Sequence, residues 1–143
     1  MRRDTLHLTL AFLGDLSSDR VAEARRVADA IVAPQFDLVL DRLGYWRHNR
    51  ILWAGGVLPR GFPPVTPPLT FVAATLSERL RAAGFALDAR PFVAHMTLLR
   101  DAHCDDVPVL PQPVRWPVRE FVLAESRGAR YDIVGRWPLA QSG

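Results

Sequence analysis

The chain has 143 residues, enough for one domain with a buried core and too few for two independently folded ones. Its composition, 49% hydrophobic and 23% charged, excludes a disordered chain, and no apolar run is long enough to cross a membrane. The net charge of +3 comes with 18 basic residues, all Arg, and this excess is too small to establish nucleic-acid binding.

The first quarter of the chain predicts a strand followed by a helix. Apolar and polar residues alternate over 5–12 (TLHLTLAF), which is typical of a half-buried strand. The core side of this strand is expected to hold Leu6, Leu8, Leu10 and Phe12. A Ser pair at 17–18 is expected to cap a helix that runs to about Val32. The buried side of this helix is expected to hold Val21, Ala24, Val27, Ala28 and Ile31.

The middle of the chain predicts a hairpin and a second helix. Strands over 36–46 and 51–58 flank a polar tip at 47–50. The Pro-rich stretch at 59–68 predicts a loop, because proline fixes φ and lacks a backbone donor. Apolar residues at helical spacing over 69–83 predict the second helix.

The last third predicts further strands and one long loop. Gly84 is expected to end the second helix, and a strand follows at about 92–99. Residues 101–117 contain four prolines and are expected to form a loop. A final hairpin is predicted from strands at 119–126 and 130–137. This mixture of helices and antiparallel hairpins predicts an α+β fold.

One short pattern occurs twice, 88 residues apart. HLTL at 7–10 nearly repeats HMTL at 95–98, so each predicted strand carries a His and a Thr two residues apart. Residues i and i+2 of a strand share a face, which places His7 beside Thr9 and His95 beside Thr97. Arg100 lies on the opposite parity of an ideal strand and reaches that face only if the strand ends or bulges.

Two imidazoles and two hydroxyls on one groove suit the cleavage of a phosphodiester. Imidazole titrates near neutral pH, so one ring can accept a proton while the other donates one. Threonine hydroxyls and an Arg can donate to the non-bridging phosphate oxygens. A single His-x-Thr is more often structural. With four His and six Thr in the chain, two such spacings arise by chance on the order of 1% of the time.

Metal binding is the main chemical alternative to this interpretation. Two His could form half of a ligand set, but no carboxylate or Cys lies at a matching offset in either strand. The remaining His48 and His103 fall in predicted loops and are expected to be solvent exposed. Cys104 is the sole cysteine, which excludes an internal disulfide. We therefore expect no metal and no cofactor, and a cytoplasmic protein.

The two motif strands resemble those of the 2H phosphoesterase superfamily, which is named for its paired His-x-Thr/Ser motifs. HLTLAFLG and PFVAHMTLLR carry the resemblance, with echoes in RILWAG at 50–55 and in VLAESRGARYDIVGRWPL at 122–139. The chain is most similar to the bacterial and archaeal RNA 2′,3′-cyclic phosphodiesterase branch, also called the LigT-like or 2′-5′ RNA ligase family.

The resemblance implies a single domain over 1–143. Two pseudo-symmetric lobes would each carry one motif strand beside a central groove, with two antiparallel-rich sheets and flanking helices. Relatives usually have a further strand and helix before the first motif, whereas six residues precede His7 here. Such a lack would leave a sheet edge unpaired and favour self-association. Relatives also commonly have Pro where this chain has Ala94, a change expected to matter little.

The resemblance also implies an activity and residue roles. The catalytic pair would be His7 and His95, with Thr9, Thr97 and Arg100 holding the phosphate. The implied reaction is metal-independent opening of a 2′,3′-cyclic phosphate of RNA ends or small nucleotides to a 2′-phosphomonoester, with ligation as its reverse. No membrane or obligate protein partner is expected. The alternatives are another 2H activity (on 2′-5′ oligonucleotides or ADP-ribose cyclic phosphate), a catalytically weak RNA-end-binding module, and a structural domain whose motifs are accidental.

Overall fold

A computed structural model describes residues 6–56, 68–88, 95–128 and 130–141. Its elements, in chain order, are α1 (Ser18–Asp29), β1 (Phe36–Leu40), β2 (Arg42–Trp46), β3 (Ile51–Gly55), α2 (Pro68–Ala82), β4 (Met96–Leu99), β5 (Val114–Val118), β6 (Glu120–Arg127) and β7 (Arg130–Pro138). The α+β prediction is confirmed. In the described part of the chain the strands form a three-stranded sheet in the order β2-β3-β4 and two pairs, β1-β5 and β6-β7.

The chain divides into two compact units. The first comprises 1–9, 37–65 and 93–117, and the second comprises 10–36, 66–92 and 118–143. The sheet β2-β3-β4 therefore belongs to the first unit, while α1, α2, β6 and β7 belong to the second. No helix of the described residues is long and apolar enough to cross a membrane.

Both helices of the second unit begin or end at the residues that the sequence predicts. The Ser17 hydroxyl accepts a hydrogen bond from the Arg20 backbone N–H at 3.3 Å and caps α1. Gly84, at φ +91°, ends α2. The backbone N–H of Phe85 donates to Leu80 O and that of Gly84 to Arg81 O, which is a Schellman motif.

The core of the second unit lies between these helices and the β6-β7 hairpin. Helix α1 ends several residues before the predicted Val32, which is 81% exposed. Two clusters fill the core: one contains Ala28, Ala33, Val72, Phe121 and Leu139, and the other contains Ala24, Leu76, Leu80 and Phe85. Leu10 packs against both clusters. The predicted buried side of α1 is thus confirmed at its two alanines and partly at Val27 and Ile31.

Two strand predictions and one loop prediction need correction. The segment predicted as a strand at 5–12 forms only one isolated β-bridge, at Leu8, and Phe12 is 79% exposed rather than in the core. The predicted strand 36–46 is two strands, β1 and β2, separated at Asp41. The stretch 101–117 is not all loop, because β5 begins at Val114 and includes a proline. The predicted Pro-rich loop lies almost wholly outside the described residues.

Candidate active site

The two His-x-Thr segments meet at a single β-bridge. Leu8 pairs with Met96 in antiparallel orientation, and Met96 also pairs with Ala54 of β3. Strand β4 therefore lies between β3 and the N-terminal segment. Both motif segments belong to the first unit of the chain, whereas the resemblance implies one motif strand in each lobe. The pseudo-twofold relation between lobes stays a prediction.

The bridge sets which motif residues face one another. In antiparallel pairing, residues one step to either side of a pair are opposed, so His7 lies opposite Thr97 and Thr9 opposite His95. All four side chains then project from the face opposite to Leu8 and Met96. The two histidines occupy diagonal positions, where β-carbons are ordinarily somewhat closer than about 7–8 Å. That spacing leaves room for one phosphate between the imidazole rings.

The four motif residues differ in how much water reaches them. Thr97 is 9% exposed, and it is paired with Trp53 of β3. His7 and His95 are half-buried, while Thr9 is exposed. A hydroxyl in a site with little water gives a stronger interaction with a developing charge than one in bulk solvent. Thr97 is thus the better placed of the two threonines to stabilise a phosphate oxygen.

The hairpin β2-β3 places Trp46 beside His95 and Trp53 beside Trp46. The ring centroid of His95 lies 4.7 Å from that of Trp46, with the ring planes at 66°. Trp46 in turn lies 5.3 Å from Trp53. Gly44 is paired with Trp53, and a β-carbon at that position would overlap the Trp53 indole. The absence of a side chain at Gly44 therefore lets this indole lie across β2.

Sequence reasoning missed these two tryptophans as part of the site. The signal was present in the predicted hairpin with its tip at 47–50. A tip centred there pairs Trp46 with Ile51 and Gly44 with Trp53, as observed. Both tryptophans therefore share a face, and only the pairing of β3 with β4 brings that face to His95.

Arg100 follows β4 at an exposed bend. The pairing of β3 with β4 passes from Trp53–Thr97 to Leu52–Leu99, so Leu98 is an extra residue in a β-bulge. The bulge puts Leu99 on the side of Leu52, away from Thr97. Alternation continued from Leu99 would turn the next residue, Arg100, to the side of Thr97. An ideal strand would put Arg100 on the face opposite to His95 and Thr97, and the extra residue of the bulge removes that objection.

The other histidines lie elsewhere. His48 is exposed in the turn between β2 and β3, with its ring 6.4 Å from Trp46, and His103 is exposed in the segment after β4. The prediction of solvent exposure is confirmed for both. Within the described ranges no three or more His, Cys, Asp or Glu side chains gather as ligands for a metal ion.

Comparisons with known proteins show the family of this chain. An α+β chain with two His-x-Thr segments joined by a β-bridge has the features of a 2H phosphoesterase. The model of a family described as LigT like phosphoesterase matches residues 1–53. The RNA 2′,3′-cyclic phosphodiesterase of Escherichia coli (strain K12) is 38% identical over an alignment of 145 positions, gaps included. The alignment covers 96% of this chain and 78% of that protein. This chain therefore belongs to the LigT-like phosphoesterase family.

Two further similarities support the assignment. The RNA 2′,3′-cyclic phosphodiesterase of Geobacillus stearothermophilus is 29% identical over an alignment of 156 positions, gaps included. The alignment covers 97% of this chain and 47% of that protein. The crystal structure of E. coli LigT complexed with 3′-AMP superposes with a TM-score of 0.81 at 36% identity, covering 96% of this chain and 79% of that one. Other crystal structures of E. coli LigT are complexed with ATP, phosphate or NADP+.

Proposed function

We propose that this protein hydrolyses the 2′,3′-cyclic phosphate of RNA ends or small nucleotides to a 2′-phosphomonoester. The observation that carries the proposal is the Leu8–Met96 bridge, because it brings the two His-x-Thr segments side by side. Family membership supports it, since the curated relatives are RNA 2′,3′-cyclic phosphodiesterases. Phosphate and 3′-AMP bound to E. coli LigT support a phosphate-bearing ligand.

The reaction needs one base and one acid on either side of phosphorus. In this proposal His95 removes a proton from water, and the resulting oxygen attacks phosphorus. The bond from phosphorus to the 3′ oxygen breaks, and His7 donates its proton to that oxygen. The product carries a 2′-phosphate and a 3′-hydroxyl, and solvent exchange restores both histidines. The diagonal placement of the rings suits attack and departure on opposite sides of one phosphorus atom.

The remaining motif residues bind the phosphate. Negative charge builds on the non-bridging oxygens at the pentacovalent stage, where donors are most effective. Thr97 donates from a buried position and Thr9 from an exposed one, while Arg100 supplies a guanidinium from the end of the second motif. Arginine suits this role because its planar fork can bind two phosphate oxygens at once.

The test is hydrolysis of 2′,3′-cyclic AMP in EDTA, with the position of the product phosphate identified by phosphorus NMR. We expect turnover in EDTA to a 2′-phosphate. Loss of either imidazole, in His7→Ala or His95→Ala, is expected to lower kcat by about 10²–10⁴-fold. His103→Ala serves as the matched control, because His103 is exposed outside the sheet pairing. Binding of the nucleotide without turnover would instead support an RNA-end-binding module.

The direction of proton transfer needs a separate experiment. A substrate with an activated leaving group requires no acid, so activity on it is restored only in a variant that has lost the acid. We expect rescue of His7→Ala and no rescue of His95→Ala. The opposite pattern would reverse the two roles and leave the proposed reaction unchanged.

A further inference from the structure

The segment that follows β4 is tied to the β2-β3 hairpin by three contacts. The Tyr45 hydroxyl donates to the Ala102 carbonyl oxygen at 2.5 Å. The Ala102 backbone N–H donates to the Arg50 carbonyl oxygen at 3.0 Å. An Arg50 guanidinium nitrogen lies 3.2 Å from an Asp101 carboxylate oxygen. Tyr45 of β2 and Arg50 of the hairpin turn therefore hold the chain immediately after Arg100.

This attachment is accompanied by backbone strain. Arg50 and Asp101 have φ of +54° and +53° and are the two non-glycine residues with positive φ in the described part of the chain. Left-handed backbone is unfavourable for residues with a β-carbon and persists where surrounding contacts enforce it. The two strained residues are in contact with each other, so the strain is confined to the place where the segment meets the hairpin.

The same arrangement leaves the Arg100 side chain available. Strand alternation continued past the bulge at Leu98 would turn Arg100 to the side of Thr97. The neighbouring carboxylate of Asp101 is paired with Arg50 instead. Among the described residues, no hydrogen bond or ion pair is made by the guanidinium of Arg100. The side of the first unit that carries His7, Thr9, His95 and Thr97 is called the motif face. A cation next to the motif face, with no protein anion on it, is suited to an anionic ligand.

We propose that Tyr45 is a positioning residue for Arg100. Its hydroxyl holds the Ala102 carbonyl, and thereby fixes the bend from which the guanidinium reaches the substrate phosphate. Tyr45 lies on the side of Leu52, opposite to the motif face, so it acts without touching substrate. This inference rests on the proposed function, in which Arg100 binds phosphate.

A double-mutant cycle between Tyr45→Phe and Arg100→Ala tests the proposal. The probes are the dissociation constant of adenosine 2′-monophosphate, measured by calorimetry, and kcat/KM for 2′,3′-cyclic AMP. Loss of one hydrogen bond in Tyr45→Phe is expected to weaken binding of the probe about fivefold. In the Arg100→Ala background the same change is expected to have no effect, because the group that Tyr45 positions is gone.

Two further variants separate positioning from stability. Asp101→Gly accepts the positive φ without strain and removes the ion pair, so we expect an unchanged melting temperature with weaker probe binding. Tyr131→Phe, in β7 of the second unit, makes the same chemical change and is expected to leave binding unchanged. Equal losses from Tyr45→Phe in both backgrounds, or no loss in either, would overturn the proposal. Probe binding without turnover would count against the proposed function alone, since the cycle can be completed on binding.

Discussion

Replacing Gly44 by Ala should displace the Trp53 indole and so disturb the face of the sheet that carries Thr97. A β-carbon at position 44 would overlap the benzene part of the Trp53 indole, where even the third-nearest atom, Cη2, lies at 2.7 Å. Carbon atoms in ordinary contact are about 3.5–4.0 Å apart, so the indole must move by about 1 Å or more. Overpacking of this kind costs about 1–3 kcal/mol. For a chain of this size we expect the melting temperature to fall by roughly 3–10 °C.

The displaced indole should also lower activity. Trp53 is paired with Thr97 and lies 5.3 Å from Trp46, which contacts His95. A misplacement of about 1 Å in a catalytic arrangement can cost on the order of 10²-fold in rate. We therefore expect kcat/KM for 2′,3′-cyclic AMP to fall about 10–100-fold in Gly44→Ala, measured at a temperature where the variant is fully folded.

Gly135→Ala provides the matched control. A β-carbon at that position would meet the Trp137 indole at 2.5, 3.0 and 3.2 Å, in the second unit of the chain. We expect a comparable fall in melting temperature with kcat/KM unchanged. If both variants lost activity equally, the loss in Gly44→Ala would be due to stability alone. If Gly44→Ala melted and reacted like the wild type, the indole could not occupy the space above β2, and the reasoning would be refuted.

Three further substitutions test the site and the fold. Thr97→Val keeps the shape of the buried side chain and removes its hydroxyl, so kcat/KM should fall about 10²-fold. Thr9→Val, at an exposed position, should lower kcat/KM less. Equal losses in the two variants would contradict the argument from burial. Trp46→Leu removes the ring against His95 and should lower kcat more than it raises KM, and Trp46→Phe should restore kcat. A rise in KM alone would indicate instead that Trp46 contacts substrate. Gly84→Ala forces a side chain into φ +91° and should cost about 1–2 kcal/mol in urea unfolding at unchanged kcat/KM, and an unchanged midpoint would contradict the assigned cap.

Structural features that depend on only a few neighbouring residues were predicted correctly from the sequence. The cap at Ser17, the glycine end of α2 and the turn at 47–50 all depend on local backbone chemistry. The same holds for the face shared by His95 and Thr97, because strand alternation is a local property.

The errors fall where a partner elsewhere in the chain decides the structure. Phe12 satisfies the alternation of a strand, but after Thr9 the chain enters the second unit, where Leu10 packs against the core of that unit. Strand β5 was missed because the stretch 101–117 contains four prolines, one of which lies in β5. Proline is tolerated at the edge of a sheet, and β5 pairs only with β1 in the described sheets.

The candidate site shows the same division between local and distant causes. Alternation alone predicts that each His shares a face with its Thr, but it cannot say which His faces which Thr. The register of the Leu8–Met96 bridge decides that, and a slip of one residue would turn His7 and Thr9 to the opposite face. The side expected for Arg100 depends on a β-bulge, and the extra residue of that bulge is known only once β3 is paired with β4. The residue types of the candidate site are thus apparent from the sequence, whereas their mutual arrangement follows from pairings between segments far apart in the chain.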